Sequence, residues 1–427
     1  MPTSFLPTEL WDQIISSLLD AKLVLLDFSL ASHACRDIAL PHLFKKTTVR
    51  GGPTTPFAAF ISFLRNQHVI AGYIRHLTLD WDAYSTFKND LPPRLDSNSL
   101  RQILSCLPAL KSLCIRDIKL VTTLPLDSPL TLTAFSLDTL SIEGSGGDQL
   151  LTNCPILGVY QILSLFFCVK NLKLIHLSHM ECSCLTEPSW KLRLMSGQVR
   201  LSVSTLYASQ SWDIYPVSFL LHVLRRTPSR NTLTSIIAQC VMPREASQYG
   251  ELIAACGPRI VFIDLTIKEF YHDVKDPEGL GAADYDIGER LSLASCISLT
   301  SLKITLVSEE ALPWQMNPYP LRMLLGILSP AHLLALEDLT VRLKIAVHQD
   351  KAIASSWFSS PAIASDCNAL RVLLRRCTAL RKWTFLYAAN VSEGGPEEEA
   401  TMNIIQECIR VEFKEWEDRG VLTVARA

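Results

Sequence analysis

The sequence predicts a mixed α/β chain. A short bundle of helices occupies residues 1–50, and an irregular solenoid with a parallel sheet, in which helix and strand alternate, occupies residues 51–427. Three observations carry this expectation. Leucine supplies 68 of the 427 residues and is spread along the chain, which asks first for repeats. One apolar phrase recurs at intervals of 27–44 residues, with one longer gap of 64 between Leu172 and Ile236. The first fifty residues hold apolar rows at helical spacing, yet that length is close to the limit for a core that stands alone.

The opening helix is expected over Leu6-Pro7-Thr8-Glu9-Leu10-Trp11-Asp12-Gln13-Ile14-Ile15-Ser16-Ser17-Leu18-Leu19. Pro7 suits a first turn, where its missing N–H costs nothing, and Glu9 suits the positive helix end. The rows Leu6-Leu10-Ile14-Leu18 and Pro7-Trp11-Ile15-Leu19 make a stripe wider than one packing partner needs. Asp20 can cap a second helix through Leu23, Val24, Leu25, Leu26, Phe28 and Leu30. A third is expected to include Ala34 to Leu40 and to stop at Pro41, ahead of Leu43-Phe44. Such a bundle borrows burial from the solenoid, where it acts as a cap, from another protein, or from both.

From about residue 70 the phrase reads apolar, two of any kind, apolar, any, apolar. It appears as Ile74-Leu77-Leu79, Leu110-Leu113-Ile115, Leu137-Leu140-Ile142, Val169-Leu172-Leu174, Leu233-Ile236-Ala238, Ile260-Ile263-Leu265, Leu299-Leu302-Ile304, Leu336-Leu339-Val341 and Leu380-Trp383-Phe385. Leu201-Val203 and Leu422-Val424 read as degenerate copies. The last two positions of each copy alternate, the period of a strand with one buried face, so Trp383 and Phe385 are expected in the core. Helix-like stretches ending in Cys106, Cys256, Cys296 and Cys377 precede four copies, which makes these thiols small buried hydrophobes at a fixed place in the repeat. Helix, turn, short strand and loop, repeated, is the unit of a leucine-rich-repeat solenoid. Its neighbours stack to share a core, with parallel strands on one side and helices on the other. Most intervals exceed the usual ~20–29 residues, so the array is irregular, with loops at residues 82–97, 145–147, 268–286, 308–320 and 391–399. The competing architecture is a doubly wound α/β domain.

The N-terminal segment resembles an F-box. The likeness rests on Leu6-Pro7-x-Glu9-Leu10 with Ile14-Ile15 and Leu18, then Ser29-Leu30 and Arg36, then Pro41 and Leu43-Phe44, covering about residues 5–49. It is similar to the fungal F-box proteins with degenerate leucine-rich repeats. That resemblance implies a trihelical module binding the Skp-type adaptor, and through it the cullin, of a cullin–RING ubiquitin ligase. It implies adaptor contacts at Leu6, Pro7, Leu10, Ile14, Ile15 and Leu18, with Leu26 and Leu30 supporting the bundle. It also implies a protein substrate held by the solenoid. The family often carries Trp where this chain has Cys35, which removes a large aromatic contact.

The remaining chemistry is expected to be structural. Lys plus Arg is 40 and Asp plus Glu is 42, a net charge of −2, which argues against nucleic acid as the main partner. Hydrophobic residues at 48% and charged residues at 19% exclude a disordered chain. The longest apolar run, Ile156–Val169, is 14 positions with Gln161 and Ser164 inside it, too short to cross a bilayer, and predicts a buried core helix. Met1-Pro2-Thr3-Ser4 lacks a secretory start, and the 13 cysteines contain no C-x-x-C pair. The expected location is therefore cytoplasmic and/or nuclear, with no membrane partner and with free thiols.

His176, His179, Cys182 and Cys184 are residue types zinc accepts, but their spacing is unusual for a structural site, and a repeat loop is the preferred reading. Gly144-Ser145-Gly146-Gly147 lacks the Lys-Ser/Thr of a phosphate loop, and no HExxH or GxSxG occurs. Asp273 to Glu289, beside Tyr271 and His272, reads as a solvated acidic loop. No catalytic residue, metal or cofactor is expected, and the chain reads as a non-catalytic recognition subunit, or else as a repeat scaffold unconnected to a ligase.

Overall fold

The computed structural model describes residues 10, 13–15, 22–51, 57–81, 93–121, 135–144, 155–175, 199–209, 216–241, 243–269, 290–308, 319–328, 333–345, 361–389, 403 and 406–426. The chain divides into two compact units, Met1–Leu201 and Ser202–Ala427.

In the first unit, Leu10 and residues 13–15 are helical. Then come α1 (Lys22–Ala31), α2 (His33–Lys45), β1 (Lys46–Arg50), α3 (Ala58–Asn66), α4 (His68–Tyr73), β2 (His76–Asp80) and β3 (Arg94–Asp96). α5 (Ser97–Ser105), β4 (Ser112–Arg116), β5 (Lys119–Val121), β6 (Phe135–Glu143), α6 (Pro155–Leu163) and β7 (Phe166–Ile175) complete it. Strands β1, β2, β4, β6 and β7 pair in parallel in chain order, while β3 and β5 form a separate parallel pair. The order never reverses, unlike the strand order of a doubly wound sheet, which turns back at a switch point. The phrase residues lie in register: Leu77, Leu113, Leu140 and Leu172 form one row, and Leu79, Ile115, Ile142 and Leu174 the next. All eight are buried.

Local chemistry explains the helix boundaries. Asp96 caps α5, its Oδ1 accepting from the N–H groups of Asn98 (2.8 Å) and Ser99 (2.9 Å), and Leu100, Ile103 and Leu104 then form a buried stripe. Asp117 takes the left-handed conformation (φ 56°), which aspartate tolerates, in the turn between β4 and β5.

Several expectations are corrected here. The helix expected to stop at Pro41 runs on to Lys45 with Pro41 inside it. The carbonyl this frees belongs to exposed Asp37, where solvent can satisfy it. The apolar run Ile156–Val169 is two elements: α6 ends at Leu163, and Phe166 begins β7, because the run supplies a helix and the strand it packs under. The loop expected over 82–97 contains β3 and the first residue of α5.

The second unit contains β8 (Ser202–Ser209), α7 (Pro216–Arg226), β9 (Ser235–Val241), α8 (Pro243–Cys256), β10 (Phe262–Glu269), β11 (Ser301–Ser308) and α9 (Tyr319–Leu328). β12 (Asp338–Ile345), α10 (Pro361–Arg376), β13 (Lys382–Ala389), α11 (Lys414–Asp418) and β14 (Leu422–Arg426) follow. Its strands are again parallel and in chain order. Leu206, Ile236, Ile263, Leu302, Leu339, Trp383 and Leu422 form one continuous row. Ala208, Ala238, Leu265, Ile304, Val341, Phe385 and Val424 form the next. Trp383 and Phe385 are in the core, as expected. The degenerate copy belongs to Val203-Leu206-Ala208 and not to Leu201-Val203. β1 is a further strand, with Thr47 and Val49 aligned on Leu77 and Leu79.

Three of the four repeat thiols, Cys256, Cys296 and Cys377, are buried, while Cys106 is half-buried. The helix-like stretch expected before Cys296 is turn rather than helix at residues 291–296, so the thiols share a turn and not a helix end. The N–H groups of Cys106, Cys296 and Cys377 donate to the carbonyls of Ile103 (3.1 Å), Leu293 (2.9 Å) and Leu374 (3.0 Å), closing tight turns.

Gly250 of α8 is set by close approach: a Cβ there would overlap the carbonyl oxygen of Arg290, a backbone atom. Gly250→Ala is expected to lower stability by about 1–3 kcal/mol in denaturant titrations. Gly72→Ala in α4, where a Cβ meets nothing within 4 Å, should be neutral or slightly stabilising.

Candidate protein-docking surface

The face built by the N-terminal helices begins with an α1 that is apolar nearly all round. Leu25 (1% exposed) and Ser29 point inward, and burying that side leaves a second apolar side uncovered. Leu23 (77%), Leu26 (49%) and Leu30 (78%) share the outer face, at the i, i+3, i+7 spacing of one stripe. Val24 is exposed to their flank, and Leu10 and Ile14 of the opening helix are exposed as well. A stripe of exposed apolar side chains such as Leu23, Leu26 and Leu30 marks an interaction site more often than single ones do. α2 is fixed beside α1 by Ser32, whose Oγ accepts from the Cys35 N–H at 3.1 Å, and by packing against α4.

The candidate contact residues separate into three groups. Leu6, Pro7 and Leu18 lie outside the described residues. Leu10 and Ile14 are exposed, whereas Ile15 is buried (1%) and serves the bundle's interior. Leu26 and Leu30, expected to support the bundle, are instead on its outside; Leu25 and Ser29 take the supporting role. Leu23 and Val24 were not expected on this face. Their signal was present: a helix with seven apolar residues in ten must show one apolar side to something else.

A second arrangement on the sheet of the first unit brings Cys114, Ser141, Glu143 and Arg116 together. Glu143 accepts from Arg116 Nε at 2.8 Å and from Ser141 Oγ at 2.8 Å, and Cys114 Sγ lies 3.4 Å from its Oε1. Burial acts to raise the Glu143 carboxyl, but these hydrogen bonds outweigh it and hold the group below the usual carboxylate range. Burial, then the adjacent carboxylate, pushes the Cys114 thiol up to about 12. Cys114 is therefore a protonated thiol at neutral pH and a poor nucleophile. In the second unit, a 380 Å³ groove is lined by Ser247, Gly250, Glu251, Arg290, Ser292 and Ser295, among others, and Glu251 is engaged by Arg225.

The residues 176, 179, 182 and 184, the acidic stretch 273–289 and residues 145–147 lie outside the described residues. Among the described residues no group of three or more His, Cys, Asp or Glu side chains is placed to hold a metal ion. No described helix is long and apolar enough to cross a membrane. No family model and no curated protein matches this chain.

Proposed function

We propose that this chain is the substrate-recruiting adaptor subunit of a Skp–cullin–F-box-type ubiquitin ligase. In this reading the helices of residues 1–50 are an F-box that docks a Skp-type adaptor. The stacked strand–helix units are leucine-rich-repeat-like and carry the substrate. The observation that supports it most is the exposure of Leu10, Ile14, Leu23, Leu26 and Leu30, all within the segment that resembles an F-box. The mechanism is tethering: a substrate held on the repeats experiences an effective concentration in the range of about 1 mM near the ubiquitin-carrying enzyme. No bond chemistry is asked of this chain.

The test is co-purification with a Skp-type adaptor. Leu10→Asp with Ile14→Asp, and separately Leu26→Asp with Leu30→Asp, should each weaken binding by about 30-fold or more, since a charge replaces desolvated anchor area. Because all four side chains are exposed, the melting curve should barely move. Full retention of the adaptor by both variants defeats the reading.

One observation favours the rival scaffold. α2 packs against α4, and β1 of the same N-terminal segment pairs with β2, so the helices also cap the strand array. A chain that captures another protein but never a Skp-type adaptor would be that scaffold.

A further inference from the structure

The turns that enter the strands of the first unit are stitched to one another. The Arg75 N–H donates to the Lys45 carbonyl (3.0 Å), the Lys111 N–H to the Arg75 carbonyl (2.8 Å), and the Asp138 N–H to the Lys111 carbonyl (2.8 Å). These residues thus hold the same position on successive rungs, about 4.8 Å apart. Three consecutive rungs are cationic and exposed: Lys45, Arg75 and Lys111. Lys46 is exposed beside Lys45, and the Lys22 ammonium of α1 donates to the Lys46 carbonyl at 3.3 Å. The fourth rung reverses sign with Asp138, which is engaged by Lys170 at 2.6 Å.

Like charges on neighbouring strands repel. Among the described residues, no carboxylate lies within ion-pair distance of Lys22, Lys45, Lys46, Arg75 or Lys111. Part of the row has a local use. Lys45 complements the negative end of α2, and Arg75 reaches the Ala109 carbonyl at 3.4 Å. Neither requires three cations in succession. Their field is felt nearby: burial, then Lys46, Lys45 and Lys111, lowers the His76 imidazole below its ordinary value.

We propose that this cationic edge docks an acidic segment of a partner protein, its carboxylates adding counter-charge beyond the Coulombic attraction that Asp138 offers Lys111. Three rungs span about 10 Å, the length of about three extended residues, so the complementary feature is a short acidic run. No aromatic side chain sits on these rungs, so unpaired bases would find no stacking platform. The adaptor reading of α1 plays no part in this.

Fluorescence anisotropy of labelled decaglutamate with the full chain tests it. Affinity should fall between about 50 and 200 mM salt. The triple variant Lys45→Glu/Arg75→Glu/Lys111→Glu should bind at least about tenfold more weakly. Lys45→Gln/Arg75→Gln/Lys111→Gln, which adds no new repulsion, should also weaken, with an unchanged circular dichroism spectrum. The charge-matched control Arg226→Glu/Arg259→Glu/Arg376→Glu, exposed residues of the second unit, should bind within about twofold of the parent. Salt-insensitive or absent binding by the parent, unchanged affinity in both ladder triples, or an equal loss in the control overturns the proposal. So does tighter binding of a ten-nucleotide single strand through the same residues, which would make this a nucleic-acid surface.

Discussion

Between pH 8 and pH 10 the free energy of unfolding should fall by roughly 5 kcal/mol, because four buried thiols resist ionisation in the folded chain. Burial pushes Cys256, Cys296 and Cys377 up to about 11 and Cys367 up to about 12, against an ordinary thiol value of 9.0. The sign follows from proton counting. Above pH 9 the unfolded chain releases these protons while the folded chain keeps them, so the unfolded state binds fewer protons and gains as pH rises. The stabilisation is complete below pH 9 and is lost through pH 9–11. At pH 10 each thiol contributes a loss of about 1 kcal/mol or slightly more, and four together rival the whole stability of a typical domain. Denaturant titrations at the two pH values read this directly. Cys114, pushed up to about 12, and Tyr160, also raised by burial, add in the same direction and make this fall a lower bound, so a variant isolates the buried thiols. Cys256→Ala/Cys296→Ala should lose about 2–3 kcal/mol less between pH 8 and pH 10 than the parent, whatever its starting stability. Identical pH dependence in parent and variant would rule the thiols out as the cause.

The strands were legible because their phrase states a physical requirement: two alternate positions face a shared interior, and leucine or a β-branched residue fills each. Where a neighbour's bulk relaxes that requirement, the phrase fades. Thr47 stands opposite Leu77, so β1 was not seen, whereas Val203-Leu206-Ala208 fits the phrase in full and β8 was simply read several residues too early. The three-residue β3 is too short to show a period, and it exists through pairing with β5. The docking face was legible in part. An α1 that is apolar nearly all round says that something covers it, but not which side. Only packing separates Leu25, which is inward, from Leu26 and Leu30, which are not. The cationic rungs could not be read at all: Lys45, Arg75 and Lys111 lie 30 and 36 residues apart and become neighbours only through strand register.

Trp383→Ala should cost about 4 kcal/mol, the largest loss expected of any single substitution in the second unit. Trp383 is fully buried in β13, between Leu339 and Leu422 in the strand register, and its backbone N–H donates to the Val421 carbonyl at 2.9 Å. Its ring meets Phe413 at 4.8 Å and Trp416 at 5.8 Å, both edge-on, and Phe413 and Trp416 contact each other. This triad holds α11 and the last strand against β13, so the cavity left by alanine removes the support of the whole C-terminal segment. Edge-on pairs add about 0.5–1.5 kcal/mol each beyond area burial. The same site offers an internal control. The indole N–H of Trp383 finds no acceptor among the described residues, an orphan donor that already costs stability. Trp383→Phe keeps most of the aromatic contact and removes that orphan, so it should cost only about 1–2 kcal/mol. Denaturant titration of both variants separates the two contributions. A phenylalanine variant as unstable as the alanine one would mean that the indole's outer ring, and not the aromatic triad as such, carries the packing.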